Sequence, residues 1–347
     1  MGETAKYIIH ELYIYLEVVK GASMNSDVSI EGLQARLELT QQELLFASLD
    51  ELKPSLTIKQ HKLLPDRYAN RDFFLADLFD CKLKDDGASM EAPIFTLATK
   101  PDLSTWTWQS KDGAKSVEVY PSVKGRATQF DKDVLIFVIS QLREGMNIKR
   151  TDAENRTVRF VVYDYLVSTN KPTGGNQYER LEYALDRLAG TRIKTNIKTG
   201  NELQKRNFGI IENWSIVEKS PDNDRMIGVE VTLSKWLYNA VEAREIVTIH
   251  RDYFRLRKPL ERRFYELARK HCGHQSSWKI GLELLREKCG SHSHLRAFRA
   301  QIVAIVKSNT LPEYLTVFDH DNDQIVFYNR EPVKMLRSAL QKPGSSQ

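Results

Sequence analysis

Two stretches concentrate the side chains that could do chemistry. If residues 176–188 form a helix, Tyr178, Leu181, Leu185 and Leu188 fall on one face, and Asn176, Glu179, Arg180, Tyr183 and Arg187 line the opposite one. An amide and a guanidinium each make paired hydrogen bonds to base edges or phosphates, and a phenol ring stacks. That is the equipment of a helix that reads a major groove. The strand expected next adds Arg192 and Lys194, and the turn after it Lys198. As wing cations they would hold a neighbouring backbone or minor groove without reading sequence. The second stretch, residues 293–307, turns Leu295, Phe298, Ile302 and Ile305 inward and shows Ser293, Arg296, Ala297, Ala300, Ala304 and Lys307, flanked by His292, His294 and Arg299. Small residues among basic ones let a helix axis approach a groove floor, so both stretches read as basic third helices of one design.

Other chemistries fit poorly. None of the 17 glycines precedes a lysine, so the phosphate loop of a nucleotide-hydrolysing motor is missing. His271, Cys272 and His274 with Cys289, His292 and His294 suggest zinc, yet no CxxC or HxxxH pair supplies the teeth of such a site. His292-Ser293-His294 superficially resembles the two-histidine motif of DNA-nicking enzymes, but a serine at a helix start stands where a bulky apolar strand residue is needed. No catalytic centre, metal or cofactor is expected.

The elements that must position these helices follow from composition and period. A chain of 347 residues, 41% hydrophobic and 10% aromatic, can build two or three packed domains. No apolar run is long enough to span a bilayer, no signal peptide opens the chain, and Cys81, Cys272 and Cys289 form no disulfide pattern. A soluble, cytoplasmic protein is expected. Charge is uneven: residues 1–60 hold 5 Lys/Arg against 9 Asp/Glu, and residues 251–307 hold 14 against 5. A basic stretch of that size points to a polyanion partner.

Residues 1–60 read as small helices (5–20, 30–37, 41–52), the latter two spaced either as a helix-turn-helix or as a packing or dimerising hairpin. A strand-rich extension follows, with a helix at 72–79, a turn at Asp85-Asp86-Gly87, strands near 94–98 and 106–109, and a Lys111-Asp112-Gly113 hairpin. Then comes a helix capped by Thr128 or Asp131, a strand running into a short helix over 159–167, the 176–188 helix, and strands at 191–197, 208–217 and 226–233. The order recurs: a helix over 258–272 with Leu260, Phe264, Leu267 and His271 inward, a strand and helix over 278–289, the 293–307 helix, and strands at 314–318 and 324–328. The expected architecture is α+β, with two tandem winged-helix domains (61–247 and 248–331) after a helical N-terminal segment (1–60) and before a tail (332–347).

Several stretches carry a family likeness: Arg67-Tyr68-Ala69-Asn70-Arg71-Asp72-Phe73-Phe74, Ala98-Thr99-Lys100-Pro101-Asp102, Phe130-Asp131-Lys132-Asp133-Val134-Leu135-Ile136, Tyr178-Glu179-Arg180-Leu181, Gly190-Thr191-Arg192-Ile193, Leu233-Ser234-Lys235-Trp236-Leu237-Tyr238, and the run from Pro259 to Arg269. Over residues 61–330 the chain resembles the replication initiator protein A family of Gram-negative bacterial plasmids; the first 60 residues do not. The resemblance implies a non-enzymatic RepA-type initiator whose two winged helices bind direct repeats (iterons) of double-stranded DNA at a plasmid origin. It also implies host DnaA and the replicative helicase as partners, a monomer–dimer equilibrium, repression of its own promoter and a first winged domain that remodels between states. The charge and helix arguments alone fit a winged-helix repressor without initiator activity equally well.

Overall fold

The computed structural model describes residues 63–68, 83–149, 155–203, 207–219, 221, 226–273 and 275–330. The helices expected in 1–60 and at 72–79, the tail, His274 and Cys81 lie outside them.

An extension comes first: β1 (Lys84–Asp86), the short helix α1 (Gly87–Glu91), β2 (Trp106–Gln109) and β3 (Ser116–Tyr120). The expected turn at residues 85–87 is instead a strand end and a helix start, because the Asp86 carboxylate accepts from the Ser89 amide at 2.6 Å and caps α1. No strand forms over 94–98, where Thr96 makes an isolated bridge to Thr128. The hairpin between β2 and β3 forms as the Lys111–Gly113 signal requires, with Gly113 at φ 70°.

Next comes α2 (Lys132–Asn147), β4 (Thr157–Val161), α3 (Val162–Ser168) and α4 (Gln177–Gly190). After α4 the chain detours through β5 (Arg192–Thr195) and β6 (Phe208–Gly209) before the long antiparallel pair β7 (Ile211–Lys219) and β8 (Met226–Leu233). Helix α5 (Lys235–Glu242) starts where Ser234 caps Leu237, and β9 (Ile246–Thr248) returns to pair with β1. The second run is α6 (Pro259–Cys272), β10 (Ser277–Gly281), α7 (Leu282–Cys289), α8 (Leu295–Ser308), β11 (Tyr314–Asp319) and β12 (Gln324–Asn329). Both runs therefore go helix, strand, helix, helix, strand, strand. Their sheets have the same order, β4-β8-β7 and β10-β12-β11, with the last strand in the middle.

The detour corrects the expected hairpin strand over 191–197. β5 joins the extension in the sheet β2-β3-β5-β6, paired Val119↔Ile193 and Val117↔Thr195. Alternation decides this, since Ile193 and Thr195 face inward with Val117 and Val119 while Arg192 and Lys194 stay out.

Two apolar cores form, one centred on each run, and the second takes in Met90 of α1 and Ile136 of α2. Between the cores lies a seam rich in buried charge, which explains why α6 buries Arg262, Arg263 and Glu266 as well as Leu260, Phe264 and Leu267. Arg262 holds Asp133 of α2, whose other oxygen takes Lys171. Lys132 lies 2.7 Å from Asp85 and 3.1 Å from Glu266, and Glu266 also accepts from Tyr253 and Gln129. Burial pushes the Asp85 carboxyl up against the pull of Lys132. His271, expected inward, sits at the rim, stacked on Trp278 at 4.7 Å.

Candidate nucleic-acid interface

Helix α4 buries Leu181, Ala184, Leu185 and Leu188 and leaves Asn176, Glu179, Arg180, Glu182 and Tyr183 exposed. Three of the expected reading groups, Asn176, Arg180 and Tyr183, thus share the open side. Arg187 does not join them. Its Nε and Nη2 donate to both Asp131 oxygens at 2.7 Å each, pinning the C-terminal half of α4 to the start of α2. The same contact occupies Asp131, expected to cap α2, so its carboxylate makes no cap bond to that helix. Lys124 adds a second tie, reaching Asp186 and lying 4.6 Å above the Tyr183 ring.

The expected wing cations stand elsewhere. Arg192 and Lys194 project from β5, on the extension's sheet rather than the β7–β8 hairpin; Arg192 donates to the Asn207 carbonyl at 2.6 Å, and Lys194 meets Glu118 at 2.9 Å. Lys198 is exposed in the turn that follows.

Helix α8 is open where the sequence places its reading face, with Arg296, Ala297, Ala300, Gln301, Ala304 and Lys307 exposed over a buried ridge of Phe298, Ile302 and Ile305. His294 stands exposed at its N-cap, and Ser293 is half-buried with its amide donating to Ser291 at 3.3 Å. His292 sets its ring edge-on against Trp106 of β2, 4.5 Å between centroids. Arg299 makes a two-pronged pair with Asp323 at the foot of β12, one prong 2.8 Å long, tying α8 to its hairpin. At the hairpin tip, hydrogen bonds from Gln324 and Asn322 hold the Asp319 carboxyl down at about 2. The tip carries the carboxylates Asp319, Asp321 and Asp323.

Much of the basic excess in residues 251–307 is consumed internally. Arg255 binds the Leu64 carbonyl, Arg269 the Thr248 carbonyl, and Arg263 the Ser89, Glu91 and Lys288 carbonyls. Lys288 and Lys270 converge on Glu91, at 2.6 and 3.3 Å. Burial, helped by Lys288, lowers His271 to about 4, and burial pushes the Cys289 thiol up to about 12. Among the described residues no group of three or more His, Cys, Asp or Glu is placed to hold a metal, and no helix is long and apolar enough to cross a membrane.

Residues 84–316 match the family of replication initiator protein A. The chain belongs to that family. In keeping with this, it is 36% identical over 264 residues to the curated "Putative replication protein" of Wigglesworthia glossinidia brevipalpis, a match covering 75% of this chain and 94% of that one. Among solved structures it is similar to domains 2–3 of RctB, at 12% identity and a TM-score of 0.48, over 72% of this chain and 99% of that one. For a member of the replication initiator protein A family, sequence reasoning missed the clamps Asp131 and Asp323 and the tie Lys124. Their signal is weak, since Asp323 lies in an ordinary polar turn and Asp131 looks like a helix cap.

Proposed function

We propose that this replication initiator is a non-enzymatic, cofactor-free, origin-specific DNA-binding protein in which the two helix–strand–helix–helix–strand–strand runs are tandem winged helices. Their third helices, α4 and α8, enter successive major grooves about one helical turn apart on one face of the duplex. One observation carries the reading: the same strand order recurs in both runs, and each third helix presents an exposed arginine, Arg180 and Arg296. Direct repeats at a plasmid origin are the DNA that two such units in one chain would fit. Host DnaA and the replicative helicase are the partners that complete initiation in the cytoplasm. Repression of its own promoter by a dimer fits the same surface.

Footprinting of the DNA flanking its own gene tests this. Protected guanines in pairs of major-groove patches, repeated at fixed spacing, are expected; uniform protection without pattern overturns sequence-specific binding. A small plasmid carrying this gene and that DNA tests initiation: colonies are expected, whereas a pure repressor yields none.

A further inference from the structure

The extension reaches the end of α4 and the loop that leads into α8, and two of its own loops pack flush against each other on the way. Turn 121–125 lies against the end of α4: a Cβ added at Gly190 would stand 2.5 Å from the Ser122 Cβ, and Lys124 covers Tyr183. Loop 99–105 runs into Trp106, which takes His292 at the approach to α8; nearby, a Cβ on Gly290 would fall 2.7 Å from Pro93. Between the loops, Gly125 at φ 90° leaves room for backbone alone, since a Cβ there would stand 2.8 Å from the Asp102 amide.

The joint is also cross-tied. The Arg126 amide donates to the Asp102 carbonyl at 2.8 Å, and the Asp102 carboxylate takes Arg126, Thr96 at 2.8 Å and Ser104. Against the upward push of burial, the bonds from Ser104, Thr96 and Arg126 hold that carboxyl well below the usual carboxylate range.

What this rigid bridge shows to solvent is unusual for a braced loop pair. Val123 is 98% exposed at the tip of its turn and Leu103 64% exposed on the neighbouring loop, with Lys100 exposed beside it. Apolar tips on a stiff support, next to a cation, resemble the elements that enter a minor groove while helices hold the flanking major grooves. Resting on the two-helix reading above, we propose that loop 99–105 and turn 121–125 form a third DNA-binding element. It crosses the minor groove between the two major grooves, Lys100 meeting phosphate and Val123 and Leu103 lying against sugars and base edges.

The test uses the full chain and the flanking DNA segment that it protects, with guanine methylation reporting the major grooves and hydroxyl radicals reporting the sugars. The native chain is expected to shield a central block of sugars between the two guanine patches. Lys100→Ala is expected to open that block and lower the salt slope of binding by about 0.9, the value for one phosphate contact. Val123→Asp, at a site too exposed to disturb folding, is expected to open it with about a tenfold loss of affinity, as like charge meets the backbone. Guanine patches should persist in both variants. Open central sugars in the native chain, or variants that bind like it, overturn the bridge while leaving the two-helix reading intact. Absence of both guanine patches overturns the two-helix reading and the bridge together.

Discussion

Helices α4 and α8 occupy the same place in two runs of the same order, yet they are electrostatic opposites. Within α4, Arg180 and Arg187 face Glu179, Glu182 and Asp186, whereas α8 carries Arg296, Arg299 and Lys307 and no acid. Of the two third helices expected to share one basic design, only α8 carries an excess of cations. Clamping differs as well: Arg187 is held by a nearly buried Asp131, and Arg299 by an exposed Asp323. Under the proposed DNA-binding reading, long-range phosphate attraction would belong to the second unit. On the proposed reading, the first would contribute through a few exposed groups, Asn176, Arg180 and Tyr183, and its acids would penalise DNA that does not repay their desolvation.

The largest effect is expected where the units meet, because the comparison presumes that both stay seated. Arg262→Ala takes away one of the two cations on the buried Asp133 carboxylate, leaving Lys171, and should cost up to about 3–5 kcal/mol in denaturant unfolding; a loss below about 1 kcal/mol would mean that the seam relaxes. Next come the reading arginines. Arg180→Ala and Arg296→Ala should each weaken binding to the cognate repeat by about 1–3 kcal/mol if they read bases. The salt slope should drop for Lys307→Ala but not for Arg180→Ala; equal slopes would erase the contrast between the helices.

The clamps then separate the units in stability. Asp131→Asn leaves Arg187 without its charged partner and should cost about 1–3 kcal/mol, while Asp323→Asn, at an exposed pair, should stay within about 1 kcal/mol. Last comes an acid effect at His271, whose ring also faces Glu91 of α1 at 3.5 Å. His271 is neutral when folded and lowered to about 4, below its ordinary 6.5, so the unfolded chain takes up its proton first. Its contribution is complete above pH 6.5 and is lost as pH falls toward 4. Trp278 fluorescence, reporting the stacked pair, should follow that loss, and His271→Gln should flatten it.

The third helices, the terminal hairpin and the strand-to-helix elements were legible because apolar residues recur there at a clean period, as with Phe298, Ile302 and Ile305. The seam was not. Arg262, Arg263 and Glu266 look like the solvated side of an amphipathic helix, and only the tertiary position of α6 against α2 turns them inward. The path of β5 was hidden for a related reason, since Arg-Ile-Lys-Thr alternates equally well for either sheet and its choice depends on Val117 and Val119, more than 70 residues away in sequence. Spacing placed Arg180 and Arg296 on open helix faces, but it could not tell that Arg187 and Arg299, on the same helices, already have carboxylate partners.

The seam has one more consequence. Ions such as Asp133, Arg262 and Glu266 join the halves alongside Met90 and Ile136, which the first half sends into the second core, so a chain caught with the halves apart would present both to water. Separation under heat or mild denaturant would therefore show as newly solvated charge together with a small greasy patch able to take up a hydrophobic dye.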